Sequence, residues 1–390
     1  MLLYEIEGKA IFKSYGIPIP RGEKATTPEE AKEAAEKIGS EVVLKAQISS
    51  GGRGKAGVVK FAKTPDEAKA LAGQLLGKEV KGETVKLLLV EEKINIAKEL
   101  YLGITLDPEL QKPVIIGCAE GGMDIEEVAE KHPEKIVKQP LEVLKPFKIH
   151  QANDFMRQLG FHGKQLVQAG KILYGLVRVY FDYDATTVEI NPLVITGDNE
   201  IIAADSKLVV DDSSSYRHPD LPWERLNENL KPLEKEAKEA GFPFVLLENN
   251  GYIGIIGGGA GVGLATMDTI YHHGGIPANF LDTGGGVTRE RMAKALEVVL
   301  KTPGVKGVIA NLFGGINNCA IMAQGIVDVL EKHKVDIPIV VKMRGHHQEE
   351  GWKLLEKYNV PLIKYGSTDE AAELLMKLVR ERSAGNVSLG

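Results

Sequence analysis

Two hydrophobic periods alternate along this chain. Thr27-Pro28-Glu29-Glu30 opens a segment of helical spacing, AKEAAEKI, that stops at Gly39. A hydroxyl cap, a proline in the first turn and a glutamate three residues after the cap predict a helix there. The next run, EVVLKAQI, is almost continuously apolar and β-branched and predicts a strand. KLLLVEEKI (86–94), KELYLGITLD, KPVIIGCA and TTVEINPLVI predict further strands, with acidic helical segments such as DIEEVAEKHPEKI between them. Strands alternating with helices predict an α/β protein.

The polar stretch Asp211-Asp212-Ser213-Ser214-Ser215, followed by YRHPDLP, interrupts this pattern, and the charged helix PLEKEAKEAGF leads out of it. The expected division is a first domain over 1–238 and a second over 239–390. In the second, YIGIIGGG, ANFLDTGGG, GVIANLFGG, IPIVVKMRG and VPLIKYG read as five apolar strands, most ending in glycines, with amphipathic helices such as RERMAKALEVVL between them. That order predicts a flavodoxin-like, doubly wound parallel sheet, whose ligands bind beyond the carboxyl ends of the strands.

Composition narrows the function classes. A length of 390 residues suits two or three domains, and 43% hydrophobic with 26% charged residues is ordinary for a soluble globular protein. The net charge of −6 offers no global attraction to nucleic acid or an anionic membrane. No apolar run is long enough to span a membrane, and MLLYEIEGKAIF lacks the basic-then-apolar layout of a secretion signal. Cys118 and Cys319 are too few for a disulfide framework or a cysteine-based zinc site, so a reducing, cytoplasmic setting is expected.

Candidate chemistry begins at QISSGGRGKAG, a glycine-rich loop with Arg53 and Lys55 that follows the strand containing Lys45. Such a loop can lay backbone N–H groups and cations around a triphosphate, although it lacks the P-loop pattern and a plain hairpin is the alternative. Asn191, just after Glu189 at the end of one strand, and Asp205, near the end of the next, are an amide oxygen and a carboxylate suited to Mg²⁺, which shares its oxygen ligands with phosphate. Glu91 and Glu99 flank a strand end where an adenine amino group or ribose hydroxyls can be accepted. At the corner NLFGGINNCAI, Gly314 and Gly315 allow a tight turn, and unpaired N–H groups at the start of the following helix form an anion seat. Asn317 has the alternative of a simple helix cap.

Together YGIPIPRG, SGGRGKAG, VEEKINIAKELYLG, AEGGMDIEEVAE, VEINPLVIT, SYRHPDLP, ATMD, PANFLDTGGG and NLFGGI, in this order, resemble the β subunits of succinyl-CoA synthetase and related ADP-forming acyl-CoA ligases. The resemblance spans nearly the whole chain and implies an N-terminal ATP-grasp domain. It implies that Lys45, Gly52, Arg53, Gly54 and Lys55 contact the nucleotide phosphates, that Glu91 and Glu99 contact the nucleoside, and that Asn191 and Asp205 hold Mg²⁺. By the same resemblance Glu189, Gly314 and Gly315 face a phosphohistidine on a partner α subunit that also binds CoA. Pro20 matches the ATP-using members. None of the nine histidines here lies in the phosphohistidine motif, so the chain is expected to be half of a heteromeric enzyme. A non-catalytic nucleotide-binding module is the alternative of another class.

Three departures from the succinyl-CoA branch bear on the acid. Gly258-Gly259-Ala260-Gly261 stands for Asn-Gly-Ala-Gly, Asn317-Asn318-Cys319-Ala320 for Val-Arg-Cys-Asp, and Arg344-Gly345-His346-His347 for Glu-Gly-Thr-Asn. More room and an added guanidinium suit an acid with an extra carboxylate, which points to citrate and the citryl-CoA synthetase branch, with Gly258, Gly259, Asn317, Asn318 and Arg344 as substrate residues; a succinyl-CoA synthetase β subunit using succinate is the alternative.

Overall fold

Thr27 accepts the Glu30 backbone N–H on its hydroxyl at 3.2 Å, and Gly39 sits at φ 73°, so the first predicted helix runs between the start and stop that its sequence specifies. The computed structural model describes residues 1–49, 57–80, 82–122, 125–227, 230–247 and 249–385; Gly52, Arg53, Gly54 and Lys55 lie outside the described residues. The chain divides into two compact units, Met1–Leu226 and Asn227–Gly390.

The first unit begins with α1 (Glu5–Ser14), β1 (Gly22–Ala25), α2 (Pro28–Ile38), β2 (Val42–Ala46), β3 (Val59–Ala62), α3 (Pro65–Leu75), β4 (Glu79–Val80), β5 (Glu83–Thr84) and β6 (Leu88–Glu92). It continues with β7 (Ile96–Asp107), β8 (Lys112–Cys118), α4 (Ile125–Lys131), β9 (Ile136–Pro140), α5 (Ile149–Gln158), α6 (Gly163–Asp182), β10 (Ala185–Thr196), β11 (Ile201–Ala203) and β12 (Lys207–Val210). Two larger antiparallel sheets result, beside the two-stranded β4–β5 pair. One has the order β1-β6-β2-β3 and buries Leu44, Leu88 and Val90 against alanines of α2 and α3. The other has the order β11-β10-β7-β8-β9, with β12 also on β10, and packs Leu100, Leu102 and Ile104 with Phe155, Met156, Leu173 and Leu176 of α5 and α6. Pairing of β10 with β7 slips between Ile190 and Leu193, a bulge that re-aims the side chains around Asn191.

The second unit contains α7 (Pro232–Glu239), β13 (Phe244–Leu246), β14 (Ile253–Gly257), α8 (Ala260–His272), β15 (Asn279–Leu281), α9 (Arg289–Leu300), β16 (Gly307–Gly314), α10 (Cys319–Lys332), β17 (Ile339–Gly345), α11 (Gln348–Lys357), β18 (Leu362–Ile363) and α12 (Thr368–Gly385). Its boundary falls ahead of the 238/239 division read from the sequence because α7 packs here: Ala237 is buried in this core, and Lys294 and Lys301 each reach Glu236 at 2.6 Å. The parallel ladder is β14-β16-β17-β18, with α9, α10 and α11 contributing to the core on one face and α8 and α12 on the other.

The expected five-stranded ladder differs at β15. This strand pairs antiparallel with β13, an element the sequence pattern did not reveal, and meets β14 through two isolated parallel bridges, Ile253 with Pro277 and Gly257 with Asp282. Between the bridges the buried Asn279 side chain replaces the missing ladder, donating to Ile255 O at 2.9 Å and accepting from Ile255 N–H at 3.1 Å. From β14 onward the spatial order is still 2-1-3-4-5, the flavodoxin-like arrangement, with its switch point between β14 and β16. Asn279→Ala leaves both buried polar groups of Ile255 unpaired and is expected to cost roughly 2–4 kcal/mol in chemical denaturation. A loss under about 0.5 kcal/mol would contradict this account of the β14–β15 seam.

Candidate functional site

Glu5, Lys9 and Phe12 lie at helical spacing on the buried side of α1, so a carboxylate and an ammonium enter the interior together. There they meet Lys45 of β2 and Glu91 of β6. Lys9 Nζ lies 2.8 Å from Glu5 Oε1 and 2.5 Å from Glu91 Oε1, while Lys45 Nζ lies 2.7 Å from Glu5 Oε1 and 2.9 Å from Glu91 Oε2. Both ammoniums also donate to Ala204 O at 2.8 Å. Burial alone would push the Lys45 ammonium down. The Glu5, Glu91 and Asp205 carboxylates outweigh it and hold Lys45 above the ordinary lysine range. Glu91, expected at a nucleoside, is instead enclosed in this box with one oxygen toward each lysine.

Ala204 joins the box to the other candidates. Its N–H donates to Pro192 O at 3.1 Å, which brings Asn191 and Asp205, the residues on either side, to adjacent positions. Asn191 Oδ1 accepts from Gly122 N–H at 2.9 Å, and the Glu99 carboxylate lies against Gly122. Asp205 Oδ1 accepts from Ser206 N–H at 2.7 Å. Glu189, two residues before Asn191 on β10, pairs in register with Lys207 of β12, with Nζ to Oε2 at 3.5 Å. Among the described residues no group of three His, Cys, Asp or Glu side chains could hold a metal ion. Asn191 and Asp205 offer two hard oxygen donors, a set that would fit Mg²⁺ if water and a ligand's oxygens took the remaining positions.

In the second unit the glycine-rich strand ends do converge. Gly258 N–H donates to Asn311 O at 2.8 Å across the switch point. Asp282 Oδ1 accepts from Gly259 at 2.9 Å and from Gly284 at 2.8 Å, tying the β14 and β15 ends together. Asn317 Oδ1 accepts from Val287 N–H and its Nδ2 donates to Gly284 O, both at 2.9 Å, which adds the β16 end. The β17 end joins through His346 N–H to Gly314 O and Cys319 N–H to His346 O, again at 2.9 Å.

This stitching corrects the expected anion seat at α10. The Asn318 side chain accepts from Ala320 N–H at 2.9 Å and Ile321 N–H at 3.3 Å, Cys319 N–H is taken by His346 O, and Met322 N–H by Asn318 O. The first-turn donors are spent within the protein, and Asn317 and Asn318 are a loop tie and a helix cap. α8, by contrast, starts at Gly259 with no side-chain cap, and Ala260 and Gly261 are exposed. Gly314 is a glycine because a Cβ there would lie 2.7 Å from both Asn317 O and Cys319 Sγ. Gly258 does not open space either: its Cβ would lie 2.8 Å from the Phe313 backbone N.

Arg344 donates from Nε to Lys364 O at 2.9 Å and lies over the Tyr365 ring. Two residues before it on the same side of β17, the half-buried Lys342 reaches Asn311 Oδ1 at 3.4 Å. Burial first, and then the Arg344 charge, push the Lys342 ammonium below the ordinary lysine range. Among the described residues neither cation has a carboxylate within salt-bridge distance.

Sequence reasoning missed Glu5 and Lys9, whose signal is a charged pair on an otherwise apolar helical stripe, and Asp282, whose signal is a carboxylate just before a glycine run at a strand end. Asn318→Ala is expected to cost about 1 kcal/mol in denaturation, while Asn318→Asp, which keeps the cap and adds charge at the positive helix end, stays near the parent. Equal stability of the alanine variant and the parent would show that α10 does not rely on this cap.

Residues 2–195 match the ATP-grasp domain family and residues 256–376 the CoA-ligase family. The chain is 48% identical over 380 residues to the ADP-forming succinate–CoA ligase subunit β of Ignicoccus hospitalis, covering 97% of this chain and 100% of that one. It is 46% identical to the GDP-forming succinate–CoA ligase subunit β of Thermus thermophilus, covering 97% and 99%. The ATP citrate lyase of Methanothrix soehngenii, solved with citrate and coenzyme A, shares the fold at a TM-score of 0.72 and 20% identity, covering 96% of this chain and 99% of that one. With both domains in this order and nearly half of all positions shared along the full length, the chain belongs to the family of succinate–CoA ligase β subunits, which are acid–thiol ligases.

Proposed function

We propose that this chain is the nucleotide-handling subunit of an ADP-forming succinate–CoA ligase, working in the cytoplasm with an α-type partner that carries the CoA-binding domain and a transiently phosphorylated histidine. The observation that supports it most is the hub at Ala204, whose carbonyl takes both ammonium groups while its N–H is tied to Pro192, next to Asn191, and its chain neighbour is Asp205. On this reading the ATP phosphates lie against Lys45 and the loop of Gly52, Arg53, Gly54 and Lys55, with Glu99 at the nucleoside. Mg²⁺ held by Asn191 and Asp205 would neutralise phosphate charge. Glu189 faces the partner's histidine. The phosphoryl group passes from ATP to that histidine and then to the acid's carboxylate, and the CoA thiol attacks the resulting acyl phosphate to give the thioester and release inorganic phosphate; Gly259, Gly314 and Gly315 line the edge where this happens. The uncapped start of α8 and the dipole of α10 favour an anion there.

Succinate is the first choice of acid, because the relatives at 48% and 46% identity bear that name and because Gly258, Asn317 and Asn318 have structural duties. Citrate is kept as a second reading by one observation, the adjacent cations Lys342 and Arg344, which suit an additional carboxylate.

Mixing the chain with its partner subunit, Mg²⁺ and radiolabelled ATP should place an acid-labile phosphate on the partner, and Asp205→Asn should slow this by about a hundredfold or more with the fold intact. Nucleotide binding with no transfer at all would favour the non-catalytic module. Assayed with succinate, malate and citrate at saturating ATP and CoA, the complex is expected to prefer succinate; a preference for citrate would establish the second reading. In that case Arg344→Glu should lower citrate use relative to succinate by roughly ten- to a hundredfold.

A further inference from the structure

The two lysines of the buried box share one set of partners. Each ammonium faces Glu5 Oε1, one Glu91 oxygen and Ala204 O, at 2.8, 2.5 and 2.8 Å for Lys9 and at 2.7, 2.9 and 2.8 Å for Lys45. An ammonium has three N–H donors, and here each faces three acceptors, so neither has one to spare for a ligand. The two are not equivalent in position. The side chains of Lys9, Glu5 and Glu91 are 2% exposed or less, whereas that of Lys45 is 14% exposed and stands at the rim.

This duplication has an energetic consequence. If Lys45 leaves, Glu5, Glu91 and Ala204 O each keep Lys9. Without Lys9, the same departure takes both of these ammonium partners from two buried carboxylates and a carbonyl, at a high desolvation cost. The box left behind, two carboxylates and one ammonium, carries a net negative charge that keeps Lys45 near its mouth.

We propose that Lys9 is a positioning residue for nucleotide binding: it holds the acceptors of the box while Lys45 turns outward to a phosphate oxygen. The proposal rests on the reading that the phosphates of ATP meet Lys45. Lys9 itself touches no ligand, and its contribution scales with the phosphates that draw Lys45 out.

The test is calorimetric titration of the full chain, assembled with a partner subunit whose acceptor histidine is replaced so that no phosphoryl transfer occurs, with Mg·ATP and with adenosine. The expected result is that Lys45→Met and Lys9→Met each weaken Mg·ATP by roughly tenfold or more and leave adenosine unchanged, while Lys9→Arg, which keeps a cation on the same acceptors, recovers most of the loss. A parent that does not bind Mg·ATP, or a Lys45→Met variant that binds it normally, would overturn the nucleotide reading and the proposal with it. Normal Mg·ATP affinity in Lys9→Met beside a loss in Lys45→Met would overturn the proposal alone. So would equal weakening of ATP and adenosine, the mark of a merely structural role. Should Lys9→Met not fold, side-chain NMR of ¹⁵N-lysine in the parent decides: Mg·ATP should shift the Lys45 ammonium signal and leave that of Lys9 in place, and two unmoved signals would refute the exchange.

Discussion

Four buried charges can be tolerated in a protein interior only if every one of them is paired, and in this chain the pairing converges on a backbone atom, the Ala204 carbonyl oxygen. That carbonyl takes a bond from Lys9 and from Lys45, while the N–H of the same residue is fixed to Pro192. Two sheets and α1 are thereby joined at one peptide. The β10 bulge sets Asn191 on one side of it and Asp205 follows on the other, so the candidate metal donors inherit their placement from the packing of the charge box. A ligand site built on strands and a buried network is held more firmly than one built on a loop, which is what transfer of a charged group needs.

The second unit reaches a comparable rigidity by different means. Its edge is made of loops, yet Asp282, Asn317 and the His346 backbone link the ends of β14, β15, β16 and β17 into a continuous rim. The His346 carbonyl and the Asn318 cap use up the first-turn donors of α10, so its attraction for an anion comes from the helix dipole rather than from direct hydrogen bonds. Among the described residues no helix is long and apolar enough to cross a membrane.

What was legible in the sequence was local. The cap at Thr27, the stop at Gly39 and the uninterrupted apolar strands of the parallel sheet depend on neighbours in the chain, and they fell where the pattern put them. The relation of β15 to β14 was not legible, because a side-chain amide at Asn279 stands in for backbone pairing and only the folded sheet shows the gap it fills. Nor was the sense of Gly258: whether a missing side chain makes room depends on where its Cβ would point, and here it points into the backbone of β16. Lys45, Asn191 and Asp205 stood out in the sequence by their chemistry, whereas the partners that Glu5 and Lys9 meet on β2 and β6 could be seen only in the folded chain.

On the proposed reading Lys45 and Asp205, 160 positions apart by number, act as one unit in ATP binding, because Lys45 bonds the Ala204 carbonyl and Asp205 is the next residue in the chain. A double-mutant cycle measures that directly: ATP affinity of the parent, Lys45→Met, Asp205→Asn and the double variant, at fixed Mg²⁺ and salt. The account predicts a coupling energy of at least about 1 kcal/mol, whereas effects that add to within about 0.5 kcal/mol would contradict it.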